Sequence, residues 1–146
     1  MARMIIAWLL LFTISVSTAT GSLGLGQLVS SSALNQPFDG EVALYGIDAD
    51  EIDAVEVRLA SLDDFNKFQL PRPHFLTQLE FRVQLDDDGL PLIKISSREA
   101  MREPFVDFLM EVVWAQGRMI KQYTILLNPP RATIDRTLLV STTNQH

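Results

Sequence analysis

The chain contains no cysteine, only two histidines, and only 21% charged residues over its 146 positions. Without cysteine there is no disulfide framework, no thiolate nucleophile, no cysteine-ligated zinc and no iron–sulfur cluster. His74 and His146 leave little material for an imidazole metal site or a hydrolytic triad. Basic residues are also in deficit. Twelve Lys and Arg face 18 Asp and Glu, and the net charge of −6 is the opposite of the basic footprint that nucleic-acid binders carry. Beyond the N-terminal region no apolar run reaches membrane-spanning length. The most apolar later stretch, Phe105 to Trp114, is interrupted by Asp107 and Glu111. What is present is core-forming material. A hydrophobic fraction of 47% excludes a disordered regulator and suits one ordinary domain.

Residues 1–21 have the three zones of a secretory signal peptide. Arg3 gives a positive start, Met4 to Val16 is an uncharged apolar run, and Ser17 to Gly21 supplies small residues. Ala19 and Gly21 fit the −3 and −1 positions of a cleavage site, and a cut after Ala19 is the alternative. The run of 13 residues from Met4 to Val16 is too short for a transmembrane anchor, which needs roughly 20. The expectation is export to the periplasm, cleavage near residue 21 and no transmembrane helix in the mature protein. An exported chain without cysteine points to a bacterial envelope.

The rest of the chain alternates with a period of two, the mark of strands with one face in a core and one in water. Phe38, Gly40, Val42 and Leu44 share a face, as do Val55, Val57 and Leu59, then Phe81, Val83 and Leu85, then Ile93 and Ile95. In Phe105 to Trp114 one face is wholly apolar (Val106, Phe108, Met110, Val112, Trp114), which predicts a central strand. Arg118 to Leu127 follows as its hairpin partner across Ala115-Gln116-Gly117. Asp86-Asp87-Asp88-Gly89 predicts a second hairpin turn, with Gly89 at positive φ. Asn128-Pro129-Pro130 ends the pairing, because proline has no N–H for a ladder. Helical expectations are two. Asp48 to Asp53 forms one turn with Asp48 as cap, and Ser61 to Phe68 forms a short helix with Leu62, Phe65 and Phe68 on one stripe. Gln69 to His74, with Pro71 and Pro73, reads as a loop. The chain therefore divides into a signal peptide (1–21), a domain (22–130) and a polar, frayed C-terminal tail (131–146) in which Leu138 to Val140 can add a short strand. The fold class is mainly β: an immunoglobulin-like antiparallel β-sandwich with one or two short helical connectors, or alternatively a small β-barrel.

Several stretches in order are similar to one family. LGLGQLVSSSALNQPFDGEVAL (Leu23 to Leu44), VRLASLDDF (Val57 to Phe65), RPHFLTQLEFRV (Arg72 to Val83) and ISSREAMREPFVDFLMEVVWAQGRMIKQYTILLNPP (Ile95 to Pro130) resemble the FimV N-terminal periplasmic domain. The most specific part is Ser97, Arg98, Glu103, Pro104 and Phe105, then Glu111, Trp114, Gly117 and Arg118, then Tyr123, Leu126, Leu127, Pro129 and Pro130. Asn128 stands where the family more often has aspartate. The resemblance implies an envelope protein of Gram-negative bacteria acting in type IV pilus assembly, twitching motility and polar organisation. Family members typically continue into a peptidoglycan-binding LysM module, a transmembrane helix and an acidic cytoplasmic part. Those functions are not carried over, so direct peptidoglycan binding is not expected of this chain.

The chemistry-bearing residues give no catalytic, cofactor or metal expectation. Gly24-Leu25-Gly26 lacks the preceding strand and third glycine of a phosphate loop and reads as a flexible lead into the first strand. Asp86 to Asp88 suit a hairpin tip better than a cation, and Asp48, Asp50 and Glu51 do not complete a calcium loop. His74 lies between Pro73 and Phe75 with no nucleophile elbow around Ser96 or Ser97. Glu103 and Glu111 do not make a sugar-cleaving pair. Arg98 and Glu103 flank a turn and suit an ion pair, and Trp114 and Tyr123 suit cross-strand packing. The reading is a non-enzymatic, periplasmic protein-interaction module whose partners are envelope proteins of a pilus or polar assembly. The candidate interaction surface is the second face of the central strand: Asp107, Leu109, Glu111 and Val113. Two alternatives stand beside it: a truncated fragment with no independent role, and an envelope carbohydrate-binding or hydrolase module.

Overall fold

The computed structural model describes residues 22–130. The expected signal peptide, the tail and the Leu138 to Val140 strand lie outside the described residues. Among the described residues seven strands run in chain order: β1 (Gly24–Ser30), β2 (Pro37–Tyr45), β3 (Glu56–Leu59), β4 (Leu79–Leu85), β5 (Pro91–Ala100), β6 (Phe105–Trp114) and β7 (Gly117–Leu126). They form two antiparallel sheets, one four-stranded in the order β1-β2-β5-β4 and one three-stranded in the order β3-β6-β7. The sheets face each other as a sandwich of immunoglobulin-like type, and the barrel alternative falls away because the two sheets stay separate.

The alternating pattern sets which residues meet. Phe38, Val42 and Leu44 from β2 and Ile93 and Ile95 from β5 are buried with Val106, Phe108, Met110 and Val112 of β6. Phe108 joins the layers, with its ring 6.1 Å from Phe81 of the facing sheet and 5.9 Å from Tyr123 on the neighbouring strand. The hairpin β4–β5 turns as expected: Gly89 has φ +78, and Asp86 Oδ1 accepts the backbone N–H groups of Asp88 and Leu90 at 2.9 and 2.7 Å.

Four local expectations need correction. Residues 24–30 are a strand, not a flexible lead. The register shifts between Leu25 and Leu28, so a bulge brings both leucines toward the core and breaks the period of two by which a strand is read. The helix α1 (Leu62–Lys67) is capped by Ser61 as its sequence predicts, but only Phe65 of the expected stripe is buried; Leu62 and Phe68 are exposed. A helix this short lays one residue on the sheet, not three. The loop expected over Gln69 to His74 ends one residue early, because His74 opens a 3-10 turn, His74–Gln78, that seats the buried Leu76. Finally, Tyr123 lies opposite Phe108 and Trp114 opposite Gly117, so the two do not pack as a cross-strand pair.

Candidate functional site

The candidate surface on β6 is mostly covered. Ala60 donates its N–H to the Leu109 carbonyl at 2.9 Å, which extends the β3–β6 pairing, and the chain then turns into α1 over the outer side of that sheet. Leu109 and Glu111 become buried, while Asp107 and Val113 are half-buried. The Asp107 carboxylate is occupied by Gln122 Nε2 at 2.9 Å and Thr124 Oγ1 at 3.0 Å from β7. Asp107, Leu109, Glu111 and Val113 therefore do not make one accessible patch. The strand pattern alone does not reveal this, because the cover comes from a helix elsewhere in the chain.

Glu111 instead anchors an ion network. Arg58 Nε of β3 donates to its Oε2 at 2.5 Å and Arg118 Nε of β7 to its Oε1, while Arg118 Nη2 reaches Asp64 Oδ2 of α1 at 2.8 Å. Burial alone pushes the Glu111 carboxyl up, but the hydrogen bonds and charges of Arg58 and Arg118 together outweigh it and hold it below its ordinary value. The Asp64 carboxyl is lowered first by the hydroxyl of Ser61 and then by Arg118, against the effect of burial. The network clamps the helix to the sheet. Both of its carboxylates are engaged by arginine.

The remaining candidates are also absorbed by the fold. Glu51 Oε2 accepts the Asp48 N–H at 3.3 Å, but the helical turn forms later than expected, at Ile52–Ala54, with Glu51 rather than Asp48 at its N-cap and no side-chain cap bond. His74 is exposed, and Ser97 spends its hydroxyl on the Phe38 N–H and the Glu99 carbonyl. Arg98 pairs with Glu80 at 2.5 Å, not with Glu103, because β5 lies beside β4 and brings that carboxylate closer than its own turn does. Among the described residues no group of three or more metal-ligating side chains converges.

One open concavity stands out, on the outer face of the four-stranded sheet, with a volume of about 660 Å³. Ala43 and the buried Leu92 lie at its floor, and Val29, Tyr45 and Leu90 at its walls are 69%, 60% and 61% exposed. The glycines of β1 make this shape. A Cβ on Gly26 would lie 3.2 Å from the Ala43 Cβ and 3.4 Å from Tyr45 Cε2, so glycine leaves room for the tyrosine ring over β1 where a side chain would press on it. Sequence reasoning missed the trough, since its residues come from β1, β2 and the β4–β5 hairpin and no one segment announces it.

The described domain coincides with a family model. The FimV N-terminal Ig-like domain matches residues 23–130. The chain belongs to the FimV N-terminal domain family. Two curated relatives, both named motility hub protein FimV and both from strains of Pseudomonas aeruginosa, are 38% identical over 110 residues. The matched stretch covers 74% of this chain and 12% of each relative. Among solved structures, the BIgI domain of the beta protein from S. agalactiae bound to CEACAM1 aligns over 75% of this chain and 97% of its own, with 11% identity and a TM-score of 0.39. FimV N-terminal Ig-like domains are not a family known to be enzymatic.

Proposed function

We propose that this FimV N-terminal domain is a non-enzymatic, periplasmic interaction module that serves type IV pilus assembly and twitching motility. The observation that carries the reading is the family match over residues 23–130, shared with relatives named as motility hubs. Two modes of association suit a β-sandwich: adding a strand at a sheet edge, or docking on a face. The geometry favours the face. At the open side between β1 and β7, Lys121 Nζ donates to the Leu25 and Gly26 carbonyls at 2.8 and 3.2 Å, and the Tyr123 hydroxyl donates to Gly26 at 3.0 Å. Carbonyls that an added strand would use are thus already taken, and an inward lysine is a known guard against edge pairing. The outer trough, by contrast, leaves apolar side chains in water.

The test is genetic and chemical. Removing the codons for residues 22–130 from the chromosomal gene should suppress twitching, and cross-linking of the exported protein should recover a component of the pilus machinery by mass spectrometry. N-terminal sequencing of the periplasmic protein should begin between Thr20 and Leu23. Normal twitching together with no pilus component among the cross-linked products would sink the reading.

A further inference from the structure

We infer that the trough on the outer face of the four-stranded sheet binds a protein segment that presents apolar side chains flanked by lysine or arginine. The inference rests on the interaction-module reading and assigns it a site and a partner chemistry.

The apolar part follows from exposure. Val29, Tyr45 and Leu90 rise from a floor of Ala43 and Leu92, and their solvent-facing surface is of the kind that marks association sites when it is contiguous. Tyr45 is suited to be the anchor. Its ring rests on the flat backbone of Gly24 and Gly26, so it is held in place on one side while the other remains open. A rigid aromatic loses little entropy when covered.

The charged part follows from sequence and ion pairing. The trough lies between two connections that both carry acids and no base. Residues 46–57 contain Asp48, Asp50, Glu51, Asp53 and Glu56, and residues 83–93 contain Asp86, Asp87 and Asp88, with no Lys or Arg in either stretch. Among the described residues, Asp48, Asp50, Glu51 and Asp53, and likewise Asp86 to Asp88, form no salt bridge. The bases on the same sheet face are already committed: Lys94 to Asp39 and Glu41 at 2.7 and 2.8 Å, and Arg82 and Arg98 to Glu80. Of these acids Asp86 lines the trough itself, with Glu41, while Asp48, Asp50 and Glu51 line the adjoining concavity that begins at Gly46 and Ile47, so the field at the rim of the trough is negative. It repels an anionic lipid surface and disfavours a second copy of the same acidic face, while it attracts a basic segment.

The probe is a synthetic heptapeptide, Lys-Leu-Lys-Trp-Lys-Leu-Lys, added to the full exported chain and followed by amide chemical-shift mapping. Shifts should concentrate on Ala43, Tyr45, Leu90 and Leu92. The version with glutamate in place of lysine should not bind. Tyr45→Ser and Leu90→Ser alter exposed side chains and should leave the fold intact while weakening binding roughly ten-fold, the scale of an anchor residue. Asp87→Asn with Asp88→Asn should weaken it several-fold at low salt and little at high salt. Shifts mapping elsewhere, equal binding of the glutamate peptide, binding to phosphatidylglycerol vesicles instead, dimerisation through Tyr45, or occupation of the trough by residues 131–146 would each overturn the assignment. If the peptide fails while pilus components still cross-link to the exported protein, the site assignment falls and the interaction-module reading stands. If the peptide binds at the trough and no pilus component is recovered from cells that twitch normally, the reverse holds.

Discussion

At the residue scale, Phe108 has the largest effect expected of any single side chain. It is fully buried and lies between Phe81 and Tyr123, so its removal leaves a cavity walled by two rings. Phe108→Ala should cost about 3–5 kcal/mol in urea or guanidinium unfolding, a large share of a small domain's stability. Glu111 predicts a pH dependence. Its folded-state pKa lies below the ordinary 4.5, as Asp64's lies below the ordinary 3.8. A depressed carboxylate contributes stability that is fully present above its unfolded pKa and is lost as pH falls through the folded one. Thermal melts should therefore be flat in this respect from pH 7 down to the mid-4 range and fall below it, and Glu111→Gln should lower the melt at neutral pH and flatten the acid limb. An unchanged acid limb in that variant would show that the carboxylate does not carry the dependence. The role of Phe108 was legible from alternation, since a strand pattern reports which face a residue is on. The role of Glu111 was not. Its position on the more polar face was visible, but the arginines that hold it come from β3 and β7, 53 and 7 residues away along the chain.

At the element scale, the least stable part of the sandwich should be β1. It sits at a sheet edge, carries two glycines and a bulge, and is tied across the open side by Lys121 and Tyr123. Burial raises the Tyr123 hydroxyl to about 12, so it remains a neutral donor at every physiological pH. Lys121→Met keeps the apolar stem and removes the donor. It should raise hydrogen exchange for the amides of β1 while leaving β6 protected. Exchange that is unchanged in β1 would mean the strand holds without the tie. A second element-scale expectation concerns Gly26. Gly26→Val adds bulk where Ala43 and Tyr45 already press, so it should shift the Tyr45 ring resonances and reshape the trough with a smaller effect on the melt than Phe108→Ala. The strands with strict alternation, β2, β4 and the centre of β5, were readable to within a residue or two. β1 was not, because a bulge moves the core-facing positions from every second residue to Leu25 and Leu28.

At the scale of the whole molecule, the acidic connections act as caps and hairpin turns, and stability should not depend on a divalent cation. A melt in excess EDTA should coincide with one in added calcium, and a rise of many degrees with calcium would reveal a site that the turns do not explain. The sequence by itself determined the fold class, the hairpins at Asp86 to Gly89 and Ala115 to Gly117, and the family, through motifs spread in order from Leu23 to Pro130. These are local or ordered properties: alternation needs only neighbours two apart, a turn needs a few residues, and a family match needs their succession. The surface was decided by the tertiary structure alone. Whether the second face of β6 is covered depends on α1 lying against it, and which apolar residues remain in water depends on β1, β2 and the β4–β5 hairpin meeting at Tyr45. A pattern along one strand says that a face is apolar, but only the packing of distant segments says whether that face is covered.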